Sequence, residues 1–390
     1  MKKQKLNATT MKANFVSIEN KRSFTTRTIA ILSIFTIVFF ASCEEDTLSP
    51  DTNPDSIVPK NFAVEIPKSI SSNVELKTAE VDTLQGNDIY GHLRTFIHVG
   101  EFGAQLTQDI MRSIATNNLS RPLELTLISD DDGRPKHLVI VENEEFESSV
   151  WEYKLTYTDA GENRSEIGNT AMQVFWNTNP VEGIAILNPY NINRNGEEKF
   201  KNTNIRVKYS ETGDLSFDRY MIVSVDEWPM PNPLVDPFGL SKLKMFVGKK
   251  GDIVSIYGNS EHPNAKFFNN ETGFDWAFVA AAHESRDIAV AEVGLPPMDL
   301  DATERSVLLG DYAVKNVIED QILDVWPNID QNTLDAYLFH TQPPGYFNTN
   351  GFVQTGTAPS TDYEPLEANI QNLVPYNPYT ILTMDIAFDE

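Results

Sequence analysis

The chain of 390 residues contains one cysteine, Cys43, so it cannot form an internal disulfide. Cations are scarce: 31 Lys and Arg stand against 56 Asp and Glu, a net charge of −25. From Cys43 onward the balance is 24 against 55, a net of −31. That deficit opposes nucleic-acid binding, whose affinity comes mainly from cationic side chains meeting phosphates. It equally opposes electrostatic docking on an anionic membrane face. There is no Gly-x-Ser-x-Gly elbow, no Walker loop, no dinucleotide fingerprint and no internal repeat. The longest uncharged run near the front, Thr28 to Ser42, is short of the ~20 residues a spanning helix needs. An apolar content of 41% is ordinary for a globular chain and excludes wholesale disorder.

That run is the organising feature of the sequence. Lys21, Arg22 and Arg27 precede it, and Phe40-Ala41-Ser42-Cys43 closes it, followed by Glu44, Glu45 and Asp46. A basic segment, an apolar segment and small residues make a secretory signal. The closing residues resemble the lipobox of bacterial lipoproteins, with Phe40 in place of the usual leucine. The resemblance implies cleavage before Cys43 and acylation of its sulfur and new amine, which removes an oxidisable thiol. The acidic run after Cys43 resembles the surface-export signal of Bacteroidota lipoproteins. The expectation is therefore an exported protein, lipid-anchored in the cell envelope, at the outer membrane and exposed on its surface. Its membrane contact would come from lipid alone, and several acyl chains hold a protein stably. The alternative is an uncleaved anchor helix ending at Cys43. Residues 1–42 are read as the signal peptide, starting at Met1 or Met11, and residues 43–66 as the lipidated cysteine and a flexible tether rich in Ser, Thr, Pro and Asp.

Two segments follow, 67–260 and 261–390, expected to pack as one α+β domain. Between Asn87 and Thr116, Ile89, Leu93, Phe96, Ile97, Leu106, Ile110, Met111 and Ile114 recur at three- and four-residue steps. This predicts an amphipathic helix, with Gly91, Gly100 and Gly103 near its apolar face for close packing. From Leu123 to Tyr257 the period becomes two, as in Trp151, Tyr153, Leu155 and Tyr157. Asp130-Asp131-Asp132-Gly133 and Gly248-Lys249-Lys250-Gly251 mark turns between strands. About nine strands with one polar face suggest a curved antiparallel sheet or open barrel packed on the helix. Helices are expected at Trp276–Glu292 and Thr303–Val325, then a loop-rich segment and a closing strand at Tyr379–Phe388.

Chemistry is sparse. His283-Glu284-Ser285-Arg286-Asp287 resembles in part the zinc-peptidase helix motif, with Asp287 where a second histidine would stand. A packed His–Asp contact on the predicted helix explains the same residues without metal. No third ligand has supporting spacing, so no metal site and no cofactor are assigned. The consecutive acids of Asp130–Asp132 differ from the alternating acids of calcium loops and read as a hairpin turn. Trp151, Tyr153 and Trp176 on strands, with Tyr346 and Phe347 in a Pro-rich loop, are the candidate ligand-binding aromatics, although strand aromatics commonly serve a core. The leading expectation is a non-enzymatic envelope lipoprotein binding a small molecule, a glycan or a protein. The rivals are a metal-dependent surface hydrolase using His283, Glu284 and Asp287, and a structural envelope component. Helix-plus-curved-sheet carriers of lipids resemble this architecture at the level of fold alone.

Overall fold

In the computed structural model, residues 57–72, 86–115, 121–160, 168–233, 236, 238–266 and 272–389 are described. They belong to one unit, Asn53–Glu390. The signal segment, Cys43 and residues 44–56 lie outside the described residues, while residues 57–66, expected as tether, are instead packed structure, with Val58, Phe62 and Val64 buried in the main hydrophobic core. No helix among the described residues is long and apolar enough to cross a membrane.

The stripe of apolar residues after Asn87 forms a single long helix, α1 (Gly86–Ala115). Ile89, Leu93, Phe96, Ile97, Leu106, Met111 and Ile114 are buried along it. Gly100 and Gly103 sit on the same side, and each meets a strand side chain where a Cβ would stand. A Cβ on Gly103 would lie 2.7 Å from Ile205 Cγ2, and one on Gly100 would lie 2.5 Å from Met245 Cε. The glycines thus permit an approach that a side chain would block, at the ~1 kcal/mol cost of glycine in a helix.

The strands are β1 (Leu123–Ile128), β2 (Pro135–Phe146), β3 (Ser149–Asp159), β4 (Asn169–Thr178), β5 (Val181–Leu187), β6 (Asn204–Ser210), β7 (Arg219–Asp226), β8 (Lys242–Lys250), β9 (Ile253–Lys266), β10 (Thr272–His283), β11 (Ile288–Gly294), β12 (Gly345–Asn348) and β13 (Gly351–Thr355). They form one open antiparallel sheet in which spatial order equals chain order. Every neighbour is the next strand in sequence, and short connections set most pairings, while residues 295–344 separate β11 from β12. In the first turn Gly133 takes φ +66° and Ser129 accepts its N–H. Beneath that turn, Asp159 accepts from Arg134 Nε at 3.0 Å, Lys136 Nζ at 3.0 Å and Arg194 Nε at 2.8 Å. Burial opposes ionisation of Asp159, and these three cations outweigh it, holding the carboxyl below its ordinary range.

The nine segments read as strands up to Tyr257 are β1 to β9. The sheet then continues through four strands more than expected. The predicted helix at Trp276–Glu292 is instead the β10–β11 hairpin, paired in register from Ala277↔Gly294 to His283↔Ile288. Trp276, Phe278, Ala280 and Ala282 enter the core that holds α1, while Ala277, Val279 and Ala281 enter a second core with Leu308, Leu366 and Ile370. A strand covered on both faces loses its alternation, and alanine favours helix locally, so the pattern misleads. The expected helix from Thr303 is broken in two, a π-helical turn at Val307–Asp311 and α2 (Val314–Val325), because Ala313 between them is extended at ψ 139°. Three short helices follow: α3 (Gln331–Tyr337), α4 (Glu364–Ile370) and α5 (Pro378–Leu382). The expected closing strand at Tyr379–Phe388 is therefore wrong. Asn377 caps α5 and Pro378 opens it, and residues 384–389 then cross the sheet without ladder pairing. Side chains satisfy that strap. Gln173 and Asp389 exchange bonds at 3.0 and 2.8 Å, and Asn204 Nδ2 donates to the Ile386 carbonyl at 2.8 Å.

The two glycines should respond differently to a methyl group. Gly103→Ala drives against the β-branched Ile205 and should cost about 1–3 kcal/mol of stability by denaturant unfolding. Gly100→Ala meets the flexible end of Met245 and gains helix propensity, so it should stay within about 1 kcal/mol of the parent. Equal losses at both sites would contradict the packing described.

Candidate functional site

His283 ends β10, and Glu284, Ser285, Arg286 and Asp287 form the turn to β11. Asp287 has φ +47°, and the segment is not helical, so His283 and Asp287 do not share a helix face. Glu284 Oε2 pairs with Lys249 Nζ at 2.6 Å, and Asp287 Oδ1 accepts the Ser69 N–H at 2.8 Å. Among the described residues, no group of three His, Cys, Asp or Glu is placed to hold a metal.

The five aromatic candidates are divided between the faces of the sheet. Trp176 is fully buried and donates its indole N–H to the Ile57 carbonyl at 2.7 Å, with Tyr153 stacked on it. Phe347 belongs to the same core and meets Tyr90 of α1 edge-on. Trp151 lies on the opposite face with Phe175 and Ile386. Tyr346 lies in the second core and donates to Glu367 at 2.6 Å. These positions are therefore not brought together at one place.

A line of buried polar residues on β9 and β10 carries the most unusual electrostatics. On the α1 side, His262 Nδ1 faces the Phe238 carbonyl at 2.9 Å and its Nε2 faces Ser260 Oγ at 2.7 Å. Those partners place the proton on Nδ1 and let the serine donate to Nε2. Phe96, Phe274 and Trp276 surround the ring. Burial pushes the imidazole down to about 3, with His92 of α1 adding a smaller push the same way. His92 is lowered too, chiefly by burial, against the pull of the Asp88 carbonyl and Asp236. A serine donating to a histidine resembles a nucleophile pair in its bonding. However, Ser260 and His262 are both 0% exposed, so the pair meets no solvent and acts as packed structure.

On the other face, Asn259, Glu261 and Asp275 are buried together. Asp275 and Glu261 are direct register partners, and Asn259 Nδ2 lies 3.5 Å from Asp275 Oδ2. Burial drives the Asp275 carboxyl well above its ordinary range, with Glu261 adding to the push. Glu261 is raised as well, mainly by burial, against a bond from Ser241 and the charge of Lys242. Neither set was legible in the sequence, because Asn259-Ser260-Glu261-His262 reads as a polar break.

Two surface grooves among the described residues lie around α2 and α3. One groove of about 650 Å³ is lined by residues 325–330 with Thr333 and Tyr337. Trp326 is 45% exposed there, and Leu323 and Val325 nearby are also exposed. A second groove of about 570 Å³ includes Lys315, Glu319, Phe339 and His340. The sequence marks Trp326-Pro327 only as a helix stop. A half-exposed tryptophan beside the Asn328 amide can stack on a flat ligand and hydrogen-bond its edge.

The buried histidines should make the fold acid-sensitive. Between pH ~6.5, the unfolded value, and about 3, the unfolded chain takes a proton that folded His262 refuses. Stability should then fall with acid by up to ~1.4 kcal/mol per pH unit from this group. Asp275 acts oppositely, since its raised folded value favours the fold in acid and loses that advantage as pH rises. Urea unfolding of His262→Gln across pH 4 to 7 should give a flatter slope than the parent, and parallel curves would refute the assignment. Comparisons with protein-family models, with curated proteins and with solved structures give no match.

Proposed function

We propose that the protein is a lipid-anchored envelope protein that binds a ligand without transforming it. The observation that carries this reading is Phe40-Ala41-Ser42-Cys43 after a basic and apolar leader, ahead of a large acidic domain. Acyl chains on Cys43 would hold the domain at the membrane, and residues 44–56 would give it reach.

We read the sheet as curved about α1. Tyr90 meets Phe347 of β12, and Gly103 meets Ile205 of β6. The helix advances about 20 Å between those points. The six strand spacings from β6 to β12 measure about 29 Å along the sheet. A path longer on the sheet than on the helix fits a concave face toward α1. That concavity is filled by the protein's own side chains: Leu93, Ile97, Val207, Val223 and Met245 are all 0% exposed. A lipid carrier would need room there, so the ligand surface is better placed outside.

The groove at Trp326 suits that role. Its aromatic ring, with the Asn328 amide beside it, matches the stacking and hydrogen-bonding needs of a carbohydrate, while Asp330 caps α3 through Thr333. The hydrolase reading through His283, Glu284 and Asp287 draws no comparable support, since both carboxylates are engaged by other partners.

Cys43→Ser should lose palmitate labelling and move from the detergent phase to the aqueous phase in Triton X-114 partition. Retention of both would remove the anchor from the account. For the groove, tryptophan fluorescence titrated with cell-wall and plant oligosaccharides should shift saturably, and Trp326→Ala should weaken binding at least tenfold, which is about 1.4 kcal/mol. Binding that survives in Trp326→Ala would place the ligand elsewhere.

A further inference from the structure

We propose that β9 and β10 form a buried calcium site from Asp275, Glu261 and Asn259, on the sheet face turned away from α1. The face follows from alternation. Phe274, Trp276 and Phe278 enter the core that contains α1, and Asp275 and Ala277 therefore point to the opposite side. Register does the rest. Asp275 stands directly across from Glu261, and Asn259 lies across from Ala277, two residues along on the same face. Cβ atoms of directly opposed residues lie about 4.5–5.5 Å apart, so both carboxylates reach one point.

Asn259 and Asp275 are 0% exposed, and Glu261 is 7% exposed. Each has an oxygen without a hydrogen-bond partner: Asn259 Oδ1, Asp275 Oδ1 and Glu261 Oε2. All three are acceptors. Buried acceptors left unpaired cost ~1–3 kcal/mol each in proteins, so three in one place call for a shared positive partner. The nearest basic residue in register, Lys242, is committed elsewhere. Its Nζ meets Asp226 at 3.3 Å and the carbonyls of Leu382 and Met384 at 3.2 and 2.9 Å. Glu261 Oε1 is held by Ser241 Oγ at 3.1 Å, which fixes the carboxylate and leaves Oε2 for the shared partner.

The donor set selects the ion. Two carboxylates and an amide carbonyl, with no nitrogen or sulfur ligand, suit a hard cation. Calcium accepts about six to eight oxygens in flexible geometry, and backbone carbonyls and water can complete its shell. Magnesium keeps several waters in a strict octahedron, which a fully enclosed strand pair does not favour. The two carboxylates balance the charge of a divalent ion. The site rests on this geometry alone and not on the anchor or the groove.

The test uses the purified full chain in detergent, stripped with chelator and then returned to calcium. Elemental analysis should find a single calcium per chain, and millimolar CaCl2 should raise the melting temperature by several degrees. Asp275→Asn should abolish both. Glu261→Gln, which keeps the shape and the Ser241 contact, should lower calcium occupancy while circular dichroism stays native. Four results would overturn the proposal: no bound calcium with an unchanged melting temperature; an equal rise with MgCl2 or NaCl at matched ionic strength; a calcium response retained in Asp275→Asn; or full calcium occupancy in natively folded Glu261→Gln. The first of these, with stability gained on acidification, would assign the contact to a protonated Asp275 donating to Asn259.

Discussion

The contact between α1 and the strands that face it sets the terms for everything else in this domain. Gly103 lets the helix lie against Ile205 at a distance a Cβ would obstruct, and Gly100 lies as close to the flexible end of Met245. Burying an Ile, Leu, Val or Met side chain contributes ~1.5–3 kcal/mol. Ile89, Leu93, Ile97, Met111, Val207, Val223 and Met245 are all 0% exposed at or opposite that contact. The extended segment before the helix adds Phe62, Val64 and Ile70 to the same core. With the interior filled this way, chemistry has to sit at the rim, within the strands or on the outside.

The second face is closed by other means. Around β10 and β11 it is covered by α4 and the π-helical segment holding Leu308 and Leu309, which bury Ala277, Val279 and Ala281. Across β3 to β8 the cover is the C-terminal strap, held by Gln173, Asn204 and Lys242 through its backbone. Double cover makes the centre of the sheet dry, and this burial raises the carboxyls of Glu261 and Asp275 and lowers the imidazole of His262. Val325, Trp326 and Phe339, at and just after the C-terminal ends of α2 and α3, are exposed.

Much of the fold could be read directly from residue order. Where one face stays wetter the alternation survives, as Ile205, Val207 and Tyr209 show against Arg206 and Lys208, and β6 was legible for that reason. The helix was legible because its stripe runs unbroken from Ile89 to Ile114. The β10–β11 hairpin was misread for one cause. Where both faces are buried, as at Ala280-Ala281-Ala282, no periodicity survives to separate strand from helix. The polar line on β9 and β10 was hidden because it depends on pairing: Asp275 and Glu261 meet only through register. Trp326 was hidden differently, since its exposure depends on where the following chain turns. The lipobox needs no fold to be read, being a linear signal.

The central physical claim is that α1 is a permanent part of the core and not a removable plug. Hydrogen–deuterium exchange followed by mass spectrometry tests it directly. Amides from Ile89 to Leu106 should exchange only through global unfolding, at the same slow rate as those of β7 and β8. If α1 exchanges much faster than those strands, the helix leaves its seat in the native state. The domain would then open an apolar cavity, as a carrier does.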